Sequence, residues 1–341
     1  MDVRIVICGL GRVGQAFIGL IMQKEQSLKE RYGLNLKVVA AVDIGGAAVS
    51  QEGVDLEGLL AHLKKGARVE DMANYGKKGY SGEEVLSSSL ADLLVETTPT
   101  NIIDGEPGLT HIRTALKHGQ HVVTAAKGPL VLRYNELKEL AAKSQVKLMI
   151  SAATAAALPT LDVGLSCLAG TEVLAAEGIL NGTTNYILTR MYEDACPYAE
   201  ALAEAQRMGV AEPDPSLDVE GRDTANKIFL IAKEIFNAGI SLKDVAVKGI
   251  TRVTPEEIQQ AKKDGKVVKL IGKVERKEGK ITASVAPIAL PLDHPLASVR
   301  GTEKAISYLT DTMDRVTVSG GKSNPVGAAA AILKDIIRIY I

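Results

Sequence analysis

The chain predicts an α/β protein: a doubly wound parallel sheet, followed by a second domain of α+β type. Three observations carry this expectation. Through residue 150, short runs that are apolar along their whole length alternate with longer amphipathic stretches, as parallel strands covered by helices on both faces do. A glycine-rich turn joins the first run to the first amphipathic stretch, and right-handed crossovers then produce the double winding. Beyond residue 150 the alternation gives way to grouped strand-like and helical runs. The length of 341 residues suits two domains of roughly 150 residues each.

The elements follow in order. Residues 3–8 read as the first strand and 12–31 as a helix ending near Gly33. Strands follow at 38–42, 93–96, 121–124 and 147–150, with helical stretches at 107–118 and 129–144. The Gly-, Ser- and charge-rich stretch 45–90 reads as an elaboration of the same plan. Further on, 171–180 is strand-like, 184–192 and 198–208 are helical, and 218–238 reads as one long helix. Two alternating runs, 266–274 and 281–290, flank a charged turn as a hairpin. A strand at 315–319, a Gly320-Gly321 turn and an Ala-rich helix from Val326 close the chain. That closing stretch is expected to pack back on the first sheet. The expected domains are therefore 1–150 completed by 315–341, and 151–314.

Composition narrows the function. Lys and Arg number 40 against 41 Asp and Glu, a net charge of −1, so no bulk field draws nucleic acid or an anionic membrane. Apolar residues at 46% and charged residues at 24% exclude wholesale disorder. Aromatics are only 4%, without Trp, which leaves few platforms for stacking bases. Cys8, Cys167 and Cys196 form no metal-type spacing, which suits a reducing, cytoplasmic setting. The first residues read as a buried strand, without the features of a signal peptide. The most apolar stretch, 151–170, is interrupted by Pro159 and Asp162, so no bilayer span is expected. The expected partner is a small-molecule substrate, with no nucleic acid and no membrane.

Gly9-Leu10-Gly11-Arg12-Val13-Gly14 follows the first strand and opens the first helix. In such a turn the first glycine permits the bend, the second admits a pyrophosphate to the backbone, and the third lets helix and strand pack closely. The helix N-terminus offers N–H groups and a positive dipole to the phosphates. The plain alternative is a tight turn without a ligand. Asp43 ends the second strand, where a carboxylate accepts hydrogen bonds from ribose hydroxyls and repels a 2′-phosphate. No Arg follows it directly, which favours NAD slightly over NADP, although Lys64 and Lys65 remain able to meet a phosphate. A strand-end turn residue is the simpler reading of Asp43.

Lys127 follows the fourth strand, as either a substrate-facing ammonium or a solvated loop lysine. In the stretch 177–186 a strand runs through a Gly-containing turn into a helix, where Thr183 and Thr184 can cap and the helix N–H groups can hold a carboxylate. Asp223 and Lys227 stand four residues apart on one helix face. As an exposed pair they contribute only about 0.2–0.5 kcal/mol.

These segments together resemble the homoserine dehydrogenase family over nearly the whole chain. The carrying motifs are GLGRVG at 9–14, TPTN at 98–101, GEPG at 105–108, HVVTAAKGPL at 121–130, EGILNGTTNYIL at 177–188 and GVAEPDPSLDVEGRDTANK at 209–227, with Asp335 in the closing helix. The resemblance implies a Rossmann-type domain closed by the C-terminal stretch, a catalytic and dimerisation domain, and a homodimer. It implies reversible NAD(P)-dependent interconversion of L-aspartate 4-semialdehyde and L-homoserine. Lys227 matches the proton donor and acceptor, and Lys127 a lysine near the nicotinamide. Glu212 and Asp223 match acids that hold the substrate's amino group, with Asp218 in support and Gly182 and Thr183 near its carboxylate. Cofactor contacts carry over to Gly9, Gly11, Arg12, Val13, Gly14, Asp43, Thr98, Lys127, Gly209 and Gly320.

Three departures stand out: Ala126 and Val210 replace an Asn and an aromatic, and 320–325 replaces a Gly-Ala-Gly run. Ser151 also stands where the family carries a Glu beside a monovalent cation. A cation site would then rest on the backbone carbonyls of Thr154, Ala156 and Leu158. The given sequence closes soon after its last helix, so the regulatory domain of some members is not expected. A dehydrogenase for another small amino- or hydroxy-aldehyde, or a non-catalytic NAD-binding sensor, are the alternative readings.

Overall fold

The computed structural model describes residues 1–321 and 324–341, so Lys322 and Ser323 of the 320–325 run lie outside the described residues. The chain divides into two compact units, Met1–Ala156 with Asn324–Ile341, and Ala157–Ser323.

Unit 1 holds a seven-stranded sheet. Its strands are β1 (Asp2–Cys8), β2 (Asn35–Asp43), β3 (Gly46–Val49), β4 (Gly76–Lys78), β5 (Leu93–Glu96), β6 (His121–Thr124) and β7 (Leu148–Met149), in the order β4-β3-β2-β1-β5-β6-β7. From β2 to β7 the strands are parallel. At the other edge β3 and β4 run antiparallel, within the stretch 45–90 read as an elaboration of the doubly wound plan. The reason is the chain reversal at Asp43: a connection of two residues, Ile44 and Gly45, can only return the strand antiparallel. Cys8 lies level with Val42 and with Glu96, and Glu96 with Thr124, so four strand ends share one carboxyl edge. Open sheets of this kind bind ligands beyond that edge.

Two helices fix this edge from one face. Helix Arg12–Tyr32 buries Phe17, Ile18, Ile21 and Leu28 at helical spacing, and stops where Gly33 takes a φ of 63°. Helix Pro325–Tyr340 buries Ala329, Ile332, Leu333 and Ile336 in the same core cluster. Full burial of each large aliphatic side chain contributes about 1.5–3 kcal/mol.

Unit 2 holds a six-stranded mixed sheet. Its strands are β8 (Val173–Ile179), β9 (Ala246–Val247), β10 (Lys266–Lys277), β11 (Lys280–Pro291), β12 (Lys304–Thr310) and β13 (Arg315–Gly320), in the order β13-β12-β8-β10-β11-β9. The hairpin of β10 and β11 turns at Glu278 and Gly279, both with positive φ. Strand β13 pairs with β12 rather than returning to the first sheet, so the return begins at Asn324 and not at 315. The nearby β12, reached through the short turn at 311–314, supplies its partner. The long helix expected over 218–238 is interrupted: Ser216–Val219 is one turn, Gly221 takes a left-handed φ of 81°, and Arg222–Phe236 starts afresh. Ile228, Phe229, Leu230 and Ile231 are buried on that second helix, which packs on β10 and β11. Among the described residues, no helix is long and apolar enough to cross a membrane.

Candidate active site

In unit 1 the carboxyl edge opens into a cavity of ≈ 810 Å³, lined by the 9–13 turn, Asp43, Ile44, the 97–101 loop, His111 and Lys127. The three motif glycines serve it differently. Gly9 has φ 94°, and a Cβ there would stand 2.6 Å from the Thr97–Thr98 peptide. At Gly14 a Cβ would stand 2.1 Å from the Gly9 carbonyl oxygen, so this glycine sets how closely helix and strand approach. A Cβ at Gly11 would meet nothing within 4 Å. Gly11 is also the N-cap of helix Arg12–Tyr32, and no side chain caps its first-turn N–H groups. Open backbone with uncapped donors at a helix N-terminus suits the pyrophosphate of a dinucleotide. Arg12 and Val13 lie on the same wall.

Asp43 is exposed, and its Oδ1 accepts from the Ile44 N–H at 3.0 Å. The turn role weighed as its alternative is therefore present alongside its place on the cavity wall. Ile44 beside it is a fully exposed apolar side chain. In the loop after β5, Thr97 Oγ1 donates to the Gly9 carbonyl at 2.7 Å. The Thr98 N–H donates to Glu96 Oε1 at 2.7 Å, its hydroxyl donates to the same oxygen, and His111 Nδ1 donates to Oε2 at 2.8 Å. Burial, with the charges of Glu96 and Asp43 adding, pushes the Cys8 thiol well up. Among the described residues, Cys8, Glu96 and His111 are the one cluster of metal-type ligand atoms, all within 4.8 Å of one another. Both carboxylate oxygens are already taken by protein donors and the thiol is held protonated, so the cluster works as a strut. Lys127 begins helix Lys127–Lys143, half-buried on the cavity wall and not in a solvated loop.

In unit 2 the polar residues of 181–227 form one bonded network. Asn181 caps helix Gly182–Asp194, its Oδ1 accepting from the Thr184 N–H at 2.9 Å. The cap is thus Asn181, rather than Thr183 or Thr184, because it stands at the extended residue just before the first helical turn. Its Nδ2 donates to Asp218 Oδ1 at 2.6 Å and to Asp223 Oδ2 at 3.0 Å. Lys227 Nζ donates to Asp223 Oδ2 at 2.5 Å and to the Leu180 carbonyl at 2.8 Å. Side-chain exposure of 13% for Lys227 and 15% for Asp223 removes the reading of a solvated surface pair.

Burial, and then the charge of Asp223, raise the Asp218 carboxyl above its usual range; hydrogen bonds from Asn181 and Thr183 and the Lys227 charge oppose them. Gly182 and Thr183 are buried, and Thr183 Oγ1 donates to the Val210 carbonyl at 3.0 Å. Glu212 sits on an exposed turn, with Gln206 Nε2 bonded to its backbone carbonyl at 3.2 Å. Its carboxylate is not joined to this network among the described residues. Gly209 follows helix Tyr198–Arg207 with φ 68°, and Gly320 ends β13 with φ 123°.

The segment read for a cation starts with a fixed serine. Ser151 donates to the Asp335 carboxylate through N–H at 3.0 Å and Oγ at 2.7 Å, and Thr154 Oγ1 donates to the Ser151 carbonyl at 2.9 Å. Ala156 has a φ of 53°, and Leu158 already belongs to unit 2. Sequence reasoning singled out neither Asn181, Glu96 nor His111. A polar residue ending an otherwise apolar strand was the available signal for Glu96.

Comparison with known proteins adds a family. A model described as homoserine dehydrogenase matches residues 159–337, and one described as the NAD binding domain of homoserine dehydrogenase matches 9–151. A homoserine dehydrogenase of Methanocaldococcus jannaschii is 41% identical over 98% of this chain and 98% of its own length. An NAD(+)-dependent homoserine dehydrogenase of Pseudomonas canavaninivorans is 37% identical over 99% of this chain and 96% of its own. A solved hyperthermophilic archaeal homoserine dehydrogenase in complex with NADPH superimposes with a TM-score of 0.85 at 26% identity, covering 99% of this chain and 98% of that one.

Proposed function

The chain belongs to the homoserine dehydrogenase family, and from that premise we propose how its own residues run the oxidoreductase reaction. The substrate pair is L-homoserine and L-aspartate 4-semialdehyde, with an NAD(P) cofactor in the unit 1 cavity. When bound, the dinucleotide supplies or accepts the hydride. The open backbone at Gly11 and the helix N-terminus hold its pyrophosphate, and Asp43 the adenosine ribose. Lys127 serves the nicotinamide end.

Lys227 moves the proton at the substrate oxygen. Of the three donors of its ammonium, two are engaged by Leu180 and Asp223, which leaves one N–H for that oxygen. Charge builds on the oxygen as hydride adds to the carbonyl, and the ammonium both stabilises it and supplies the proton. Asp218 and Asp223 accept from the substrate's amino group, and the exposed Glu212 turn offers a further carboxylate. The buried backbone at Gly182 and Thr183 holds its carboxylate.

The observation that carries this reading is the half-buried network Lys227–Asp223–Asn181–Asp218. Its test is absorbance at 340 nm with L-homoserine against a panel of hydroxy and amino acids. Activity on another panel member and not on homoserine overturns it.

The finer assignments are NAD over NADP, a homodimer and a cytoplasmic setting. The first is supported by Asp43, by the absence of a following Arg, and by the relative named for NAD(+); the relative solved with NADPH supports the opposite preference. The ratio of kcat/KM for the two cofactors decides. Light scattering of the purified protein decides the dimer. A monovalent cation is left only the carbonyls of Thr154, Ala156 and Leu158, so activity is expected to be indifferent to added Na⁺ or K⁺.

A further inference from the structure

The carboxyl edge of the first sheet holds a charge that the proposed chemistry does not use. Glu96 ends β5 with no exposed surface, a costly place for a carboxylate unless its oxygens are bonded. Both oxygens are bonded, and to different walls. Oε1 accepts from the N–H and hydroxyl of Thr98 in the loop after β5, and Oε2 from His111 on helix Gly108–Lys117. Thr98 and His111 both line the ≈ 810 Å³ cavity. On a third side Glu96 stands level with Cys8, the residue immediately before the glycine turn. The packing there is tight: a Cβ on Gly108 would lie 3.3 Å from Thr98 Oγ1 and 3.6 Å from Glu96 Cδ. An apolar side chain at position 96 would fill the same space without directing either donor.

We propose that Glu96 is a positioning residue for dinucleotide binding, locking the Thr98 loop and His111 in the orientation that shapes the cavity. The inference rests on the reading that this cavity takes the dinucleotide. Hydrogen bonds to a carboxylate are roughly twice as strong as neutral ones, so removing the charge alone loosens the lock.

The test is NADH binding by fluorescence titration of the full chain, with KM and kcat for L-homoserine measured at saturating cofactor. Glu96→Gln keeps the shape and one acceptor oxygen, and is expected to weaken NADH binding about tenfold. The homoserine KM and kcat should stay within about twofold, a split that a general loss of folding would not produce. Thr98→Val removes only the hydroxyl's bond to Oε1, leaving the Thr98 N–H and His111 bonds in place, and is expected to weaken binding less than Glu96→Gln does. If Glu96→Gln does not fold, Thr98→Val against Thr98→Ser, which keeps the hydroxyl that Glu96 holds, decides by the same titration. Equal NADH affinity in wild type and Glu96→Gln would overturn the proposal. Failure of the wild-type chain to bind NADH rejects the cavity reading itself, and the two failures are told apart by that one titration.

Discussion

The cavity of unit 1 and the network of unit 2 are built by opposite means. The glycine-turn wall of the cavity is shaped by backbone: glycines whose missing Cβ atoms leave room, a helix N-terminus, and strand ends in register. The network is shaped by side chains, with Asn181, Asp218, Asp223 and Lys227 each depending on the next. Backbone-built sites answer to sterics at single positions and hardly at all to pH. Side-chain networks answer to charge, and removing one member leaves its partners buried and unsatisfied.

The largest expected break falls in the network. Lys227→Ala should lower turnover by about 10²–10⁴-fold while NADH affinity, which belongs to the other unit, stays within about twofold. Comparable turnover to wild type would remove Lys227 from the proton step.

Next in size is a pH effect specific to unit 2. Lys269 on β10 is buried, and donates to Asn185 Oδ1 at 2.9 Å and to the Val299 carbonyl, so it ties down the helix that carries Gly182 and Thr183. Burial lowers its pKa from 10.5 to about 8. The folded state therefore loses this proton before the unfolded chain does. Stability tied to this group is gained as pH rises from about 8 to 10.5, and is lost again as pH falls back over the same range. The full swing is about 3 kcal/mol. Denaturant midpoints of wild type and Lys269→Met at pH 8 and pH 10 should diverge accordingly; a constant difference would count against it.

The glycines sharpen the other side of the comparison. Gly14→Ala drives a Cβ into the Gly9 carbonyl and should cost about 1–3 kcal/mol in stability. Gly11→Ala has open space and should leave thermal stability within a degree or two, yet weaken NADH binding about tenfold by blocking the phosphate approach. Equal stability loss in both variants would erase the distinction drawn between them. The smallest effect concerns Asp43→Ser, expected to move the NAD to NADP preference by several-fold toward NADP in kcat/KM.

How much of this was legible in the chain follows from the same contrast. The carboxyl edge could be read because apolar runs and Gly9, Gly11 and Gly14 are local signals. Strands β3 and β12 could not. The Ala-rich β3 carries no alternation, and β12 hides behind a buried Lys304 and a buried Ser307 that read as surface residues. Gly221 ended a helix that periodicity alone would have continued. Glu96 and Asn181 bond near neighbours, Thr98 and Thr184, but also His111 and the pair Asp218 and Asp223 much further along the chain, and no spacing rule reaches those.

The closing helix of unit 1 also has a consequence for biosynthesis. Ile332, Leu333 and Ile336 complete a core that begins with helix Arg12–Tyr32, but they are translated only after all of Ala157–Ser323. At roughly 5–20 residues per second, the amino-terminal sheet waits about ten to thirty seconds on the ribosome with one flank bare. The later, contiguous unit emerges with every part of its own core already made. Order of synthesis and order of completion are therefore reversed, and the half-covered sheet is the species a chaperone would meet.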